Sequence, residues 1–250
     1  MPSSVRPAAN TVADAASVIP SLDAAIEELR AGSRTWSALT LSQRIRLLRS
    51  IRATVATEAE DWALTAARAK GLDLGSPLVG EEWLTGPYAT VVSIDAYIET
   101  LTSLRVGASP LDRLRVNTAP GDRVRVHAFP TSAVDGLLVS GFSGEVWLRP
   151  GVTLADAQRK AGLGQLLPNE SGGVGLVLGA GNITSIPVLD VLYELIAHNR
   201  VSILKINPTQ DPLAPVFGRA LAPLISLGLL RIVQGGGEVG AALTEHAGID

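Results

Sequence analysis

Residues 172–207 read GGVGLVLGAGNITSIPVLDVLYELIAHNRVSILKIN, and this stretch decides the fold. Val174-Gly175-Leu176-Val177-Leu178 is apolar with no polar phase, as expected of a parallel strand covered on both faces. Gly179-Ala180-Gly181 permits a sharp turn and close approach of a ligand. Thr184 or Ser185 can cap a helix, and Pro187 suits its first turn. Val188, Leu189, Leu192, Leu195 and Ile196 then recur at helical spacing. Val201-Ser202-Ile203-Leu204 returns as a second strand, so the stretch is a βαβ unit.

The alternation continues toward the C terminus. Asp211 or Pro212 opens a helix with Val216, Leu221, Leu224 and Ile225 inward, ending near Gly228. Leu229-Leu230-Arg231-Ile232-Val233 is a third short strand, and Gly235-Gly236-Gly237 leads into a last helix over Glu238–His246. A βαβαβα order predicts a doubly wound, mostly parallel sheet whose ligand crevice lies at the carboxyl ends of the strands.

Toward the N terminus the periods are helical. Residues 1–20, rich in Pro, Ala and Ser, are expected to be mobile. Leu22–Arg30 reads as a short helix. Thr40 or Ser42 opens a longer one, with Ile45, Leu48, Ile51 and Val55 as its apolar stripe, continuing to Lys70 with a possible break near Thr57; Gly71 suits the position just beyond. Arg44, Arg46, Arg49 and Arg52 lie off that stripe. The row reads as a solvated face rather than a phosphate or nucleic-acid site, because no aromatic or glycine loop accompanies it. Trp62 reads as a packing residue. Another helix is expected from Gly86-Pro87 to Leu104. Residues 107–121 are a linker by composition. Arg123–Phe129 then alternates as a strand with one wet face, with Gly136–Val139 and Gly144–Leu148 as candidate partners and His127 on the polar phase, facing solvent. Thr153 begins a short helix to Leu163.

The expected organisation is thus a mobile N terminus (1–20), a helical part (21–106), a linker and β-hairpin extension (107–172) and an incomplete dinucleotide-binding part (173–250). Composition narrows the chemistry further. The chain has no cysteine, which excludes disulfides, thiolate metal sites and a cysteine nucleophile within it, and its three separated histidines argue against a metal site. The net charge of −3 gives no reason to expect a nucleic-acid partner. No apolar run reaches membrane-spanning length and the first residues lack the order of a secretory signal, so a cytoplasmic location with no membrane partner is expected.

Gly235, Gly237 and Gly240 fit G-x-G-x-x-G between a strand and a helix. The first turn, at Gly179 and Gly181, lacks the third glycine. The two turns suit either a nucleotide crevice or simple tight connections. Lys205, at the end of a buried strand, can hydrogen-bond ribose hydroxyls or a phosphate, or snorkel to the surface. Asn182 can donate to an oxyanion or satisfy its own turn.

The segments VGLVLGAGN, LKINPTQDPLAPVF and LLRIVQGGGEVGAALTEHAGID resemble, in order and spacing, the cofactor-binding domain of the aldehyde dehydrogenase superfamily. The run from Trp36 to Gly71 is similar to that family's opening helices. The resemblance implies that Asn182 helps form an oxyanion hole, that Lys205 holds the adenosine ribose of NAD or NADP, that Gly179 belongs to the cofactor site, and that Gly235–Gly240 lies beside the adenosine end. It also implies that residues 123–148 form an oligomerisation hairpin. Three departures stand out. Ala180-Gly181 replaces the family's common Pro-Trp. Pro208 stands where a glutamate often favours NAD. The family's Thr-Gly-Ser loop, general-base glutamate and nucleophilic cysteine are absent from these residues. The expectation is therefore the N-terminal portion of an NAD(P)-dependent aldehyde dehydrogenase-like oxidoreductase, inactive by itself, forming a homo-oligomer or joining a complementing chain. The alternative is a non-catalytic truncated remnant that binds nucleotide or a partner chain.

Overall fold

The structure is a computed structural model and describes residues 15–250. The mobile stretch expected at the N terminus lies outside the described residues up to 14, and from Ala15 the chain is helical. Helix α1 spans Ala15–Ala38, well beyond the expected Leu22–Arg30. Gly32 does not end it. A Cβ there would stand 1.8 Å from the Gly228 carbonyl oxygen, so this glycine permits backbone contact inside a continuous helix.

Helix α2 (Leu41–Ala69) starts at Thr40, whose hydroxyl accepts from the Gln43 N–H while Gln43 accepts from the Thr40 N–H. It runs unbroken through Thr57. The helix expected from Gly86 begins earlier. Helix α3 (Val79–Trp83) passes through a π-helical turn over Leu84–Tyr88, where Gly86 leaves helical geometry, into α4 (Ala89–Arg105).

The extension is a three-stranded antiparallel sheet rather than a hairpin. Strands β1 (Val116–Ala119), β2 (Arg123–Phe129) and β3 (Gly144–Trp147) lie in that order, with Val116 opposite Val126 and Val126 opposite Val146. Part of the expected linker thus supplies an outer strand. The expected partner at Gly136–Val139 falls instead in helix α5 (Ala133–Leu138), because Ser132 and Asp135 form a reciprocal cap that starts a helix. His127 is not simply solvated. Its ring contacts Arg115 and Asn117, and Glu145 lies 3.4 Å away. Helix α6 (Leu154–Lys160) follows, capped by Thr153.

The second sheet is parallel, with β4 (Val174–Leu178), β5 (Val201–Lys205) and β6 (Leu230–Val233) side by side in chain order. Helix α7 (Ile186–Ala197) connects β4 to β5. A 3₁₀ turn (Pro208–Leu213), α8 (Ala214–Ala220) and α9 (Ala222–Ser226) connect β5 to β6, and α10 (Gly237–Thr244) follows β6. The single helix expected between Asp211 and Gly228 divides at Leu221, since Pro223 lacks the N–H a continuous helix would use. Both faces of the sheet are covered. Gly175 faces Glu194 of α7, whereas Leu178 faces Gly240 of α10, on the side where α1 crosses β5. Helix α2 packs over α8, and the Trp62 ring meets Phe217 edge-on at 5.0 Å.

The arginine row contains one large departure from expectation. Arg46, Arg49 and Arg52 are exposed, but Arg44 is fully buried. Its guanidinium donates to the carbonyls of Leu39, Trp36 and Pro168 and to the side-chain oxygens of Gln165 and Asn199, and it stacks 4.0 Å over the Trp36 ring. Burial pushes its pKa down to about 10. Every donor is used, so the cation fastens the α1–α2 corner to the segment before β4 and to the α7–β5 turn.

Candidate functional site

The parallel pairing sets Leu178 beside Lys205 and Lys205 beside Val233, so three strands end on one line. Two more bonds extend the ladder, Gly179 N–H to the Lys205 carbonyl at 2.9 Å and Ile206 N–H to the Val233 carbonyl at 2.9 Å. Both glycine turns therefore lie at one sheet edge with Lys205 between them, at the carboxyl ends where open α/β sheets take ligands.

The first turn is pinned from behind. Trp62 Nε1 donates to Thr184 Oγ1 at 2.8 Å, and the Ser185 N–H reaches the Thr85 carbonyl. Trp62 is thus a packing residue that also spends its N–H on this turn. Thr184 is not a helix cap. Ser185 precedes α7 without a side-chain capping bond, leaving the first-turn N–H groups of α7 uncapped by a side chain. Thr209 Oγ1 donates to the Gly181 carbonyl, and a Cβ on Gly181 would stand 2.9 Å from that hydroxyl. A Cβ on Gly179 would stand 3.2 Å from the Lys205 carbonyl. Room at these two glycines is taken up by the chain itself. Asn182 is exposed and its side chain makes no hydrogen bond, so it does not satisfy its own turn.

The second turn is built differently. Gly235 has φ +142°, and a side chain there would strike Val239. Gly237 faces open space, and Gly240 has only Leu178 nearby. No side chain caps α10 from Gly236, but Glu238 in its first turn accepts from the Gly236 N–H at 2.9 Å. That carboxyl is held below the usual range by bonds from the Glu238 and Gly236 N–H groups and by the nearby Lys205 ammonium. Sequence reading missed Glu238. An acidic residue in the first turn after a glycine run was the available signal.

Lys205 is the least satisfied group of the site. It is only 8% exposed, yet its ammonium makes no hydrogen bond and no ion pair. Five positions on, Gln210 is 3% exposed and neither of its amide atoms has a partner. A largely buried lysine whose ammonium has no hydrogen-bond partner, beside a helix N terminus, is a suitable setting for polar or anionic ligand atoms. Concave spaces of about 460 and 410 Å³ lie against α4 instead, one beside Phe129 and Asp135, the other beside Asp112 and Gln158.

No family model matches the chain, and no curated protein matches it. Solved structures do. The chain is similar to an aldehyde dehydrogenase from Bartonella henselae, with 15% identity, a TM-score of 0.56, and coverage of 92% of this chain and 38% of that one. It is similar to a protein described as a methylmalonate-semialdehyde dehydrogenase from Sinorhizobium meliloti, complexed with NAD, with 16% identity, a TM-score of 0.50, and coverage of 96% and 37%. It is also similar to a glyceraldehyde-3-phosphate dehydrogenase from Methanocaldococcus jannaschii, complexed with NADP, with 14% identity, a TM-score of 0.50, and coverage of 96% and 41%. The chain spans well under half the length of the structures it matches, from 19% to 41%. Its fold is accordingly that of part of an aldehyde dehydrogenase.

Proposed function

We propose that this chain is the N-terminal, cofactor-binding portion of an NAD(P)-dependent aldehyde dehydrogenase-like oxidoreductase. The observation that carries this reading is the largely buried Lys205 side chain, whose ammonium makes no hydrogen bond or ion pair, on the strand-end line beside the turn into α10. Lys205 would hold the adenosine ribose, with Gly237 and Gly240 leaving the backbone open to the cofactor and Gly179 and Gly235 shaping the two turns around it. The cofactor supplies the hydride acceptor. Asn182, exposed and free of other bonds, would donate its amide N–H to the oxyanion of a substrate carbonyl. The attacking thiolate comes from residues outside this chain, which has no cysteine.

The chain also acts as one member of an oligomer or of a complex with a complementing chain. The extension supports this, since Leu137 is 79% exposed and Phe142 71% exposed, with Leu138 and Val146 also open to solvent. The same observation favours the second reading, a non-catalytic chain that binds nucleotide or a partner. Calorimetry of NAD+ and NADP+ against the purified chain and its Lys205→Ala variant tests the cofactor reading. It expects binding of at least one dinucleotide, weakened by the substitution. Unchanged affinity in the variant would remove Lys205 from the site.

A further inference from the structure

We infer that Glu238 makes this crevice select NAD over NADP by pairing with the ribose hydroxyls that Lys205 approaches and by repelling a 2′-phosphate. The inference rests on the cofactor reading above. Lys205 ends the central strand on the same sheet face as its neighbour Leu178, and Leu178 lies against α10 through Gly240. That face carries the Lys205 side chain toward the first turn of α10, which holds Glu238. The turn directly after Lys205 offers no free anion. Asn207 and Thr209 are bonded to each other, Pro208 has no donor or acceptor side chain, and the Asp211 Oδ1 is buried. Glu238 is exposed, and its carboxylate is fixed in place by the Gly236 N–H. The Lys205 ammonium also contributes to holding that carboxyl ionised.

A carboxylate with spare lone pairs accepts hydrogen bonds from vicinal hydroxyls, whereas a phosphate dianion at the same place meets a like charge. Lys205 attracts either ligand, so it cannot discriminate, and the sign of the preference is set by Glu238. The structural alternative is that Glu238 only caps α10.

The test is the dissociation constants of NAD+ and NADP+ for the 250-residue chain, for Glu238→Gln and for Glu238→Ser, with thermal unfolding of each protein. The wild-type chain is expected to bind NAD+ at least about tenfold more tightly than NADP+, the scale of a single like-charge contact. Both variants are expected to narrow that ratio, chiefly by binding NADP+ more tightly. Equal affinities in the wild type, or tighter NADP+ binding, would overturn the inference and leave the cofactor reading intact. A ratio unchanged in both variants, whether or not their melting temperatures fall, would reduce Glu238 to a cap and also overturn it. Binding of neither dinucleotide would overturn both this inference and the cofactor reading.

Discussion

All five residues of β5 are buried, whereas β3, in the other sheet, has none of its four buried. The two sheets have the same number of strands. They differ in what lies against them. The parallel sheet takes α7 on one face and α1 and α10 on the other, with α2 and α8 closing the outside. Cover on both faces buries all of β5, including Ser202 and most of Lys205, which ends the strand. The antiparallel extension carries arginines, a histidine and a tryptophan on one face, and apolar side chains that remain in solvent around α5 and β3. One region is finished by the chain's own helices. The other offers surface.

The comparison breaks most directly at Trp62. Trp62→Ala removes a fully buried aromatic ring, its contact with Phe217 and its bond to Thr184, and should cost about 3–5 kcal/mol in denaturant unfolding. A loss below about 1 kcal/mol would mean that α2 is not part of the sheet's core. Arg44→Met should cost about 3 kcal/mol, because it leaves Gln165 Oε1 and the Pro168 carbonyl without their donor and removes the stacking on Trp36. Full stability in that variant would show that the corner is held by apolar packing alone. Lys205→Ala should weaken dinucleotide binding by about 1.5–3 kcal/mol, the worth of a charge-assisted hydrogen bond, while leaving the melting temperature unchanged or raised.

On the other side of the comparison, Leu137→Ser and Phe142→Ser should shift unfolding free energy by no more than about 0.5 kcal/mol, since both side chains are already in solvent. The same pair should lower self-association measured by light scattering. A monodisperse wild-type monomer at high concentration would show that this surface recruits nothing from another copy. The smallest effect concerns pH. The Glu238 carboxyl is held low in the folded chain, so its contribution is present above the ordinary carboxylate value of about 4.3 and is lost as pH falls through the depressed folded value. Unfolding curves of wild type and Glu238→Gln should therefore converge as acid is added below about pH 4. A constant difference across that range would argue against the depressed carboxyl.

Local pattern located the βαβ unit, the third strand and the Thr153 cap, and offered Thr40 or Ser42 for the start of α2, of which Thr40 is the cap, because these depend on neighbours a few residues apart. It also placed Lys205 and both glycine turns at strand ends. It misread α5 as a strand, since Leu137-Leu138-Val139 is apolar enough for either structure and the Ser132–Asp135 cap decides between them. It placed Arg44 in solvent because its helical phase is polar. The acceptors that make burial possible lie 121 and 155 positions away, at Gln165 and Asn199. The proximity of Glu238 to Lys205 likewise arises from strand pairing and the position of α10, not from their separation along the chain. Most of the helices and parallel strands were legible in the chain because local hydrogen bonding and burial period are written in adjacent residues. Which charges are buried, paired or left unbonded was settled by packing, because each such outcome depends on groups brought together from distant parts of the chain.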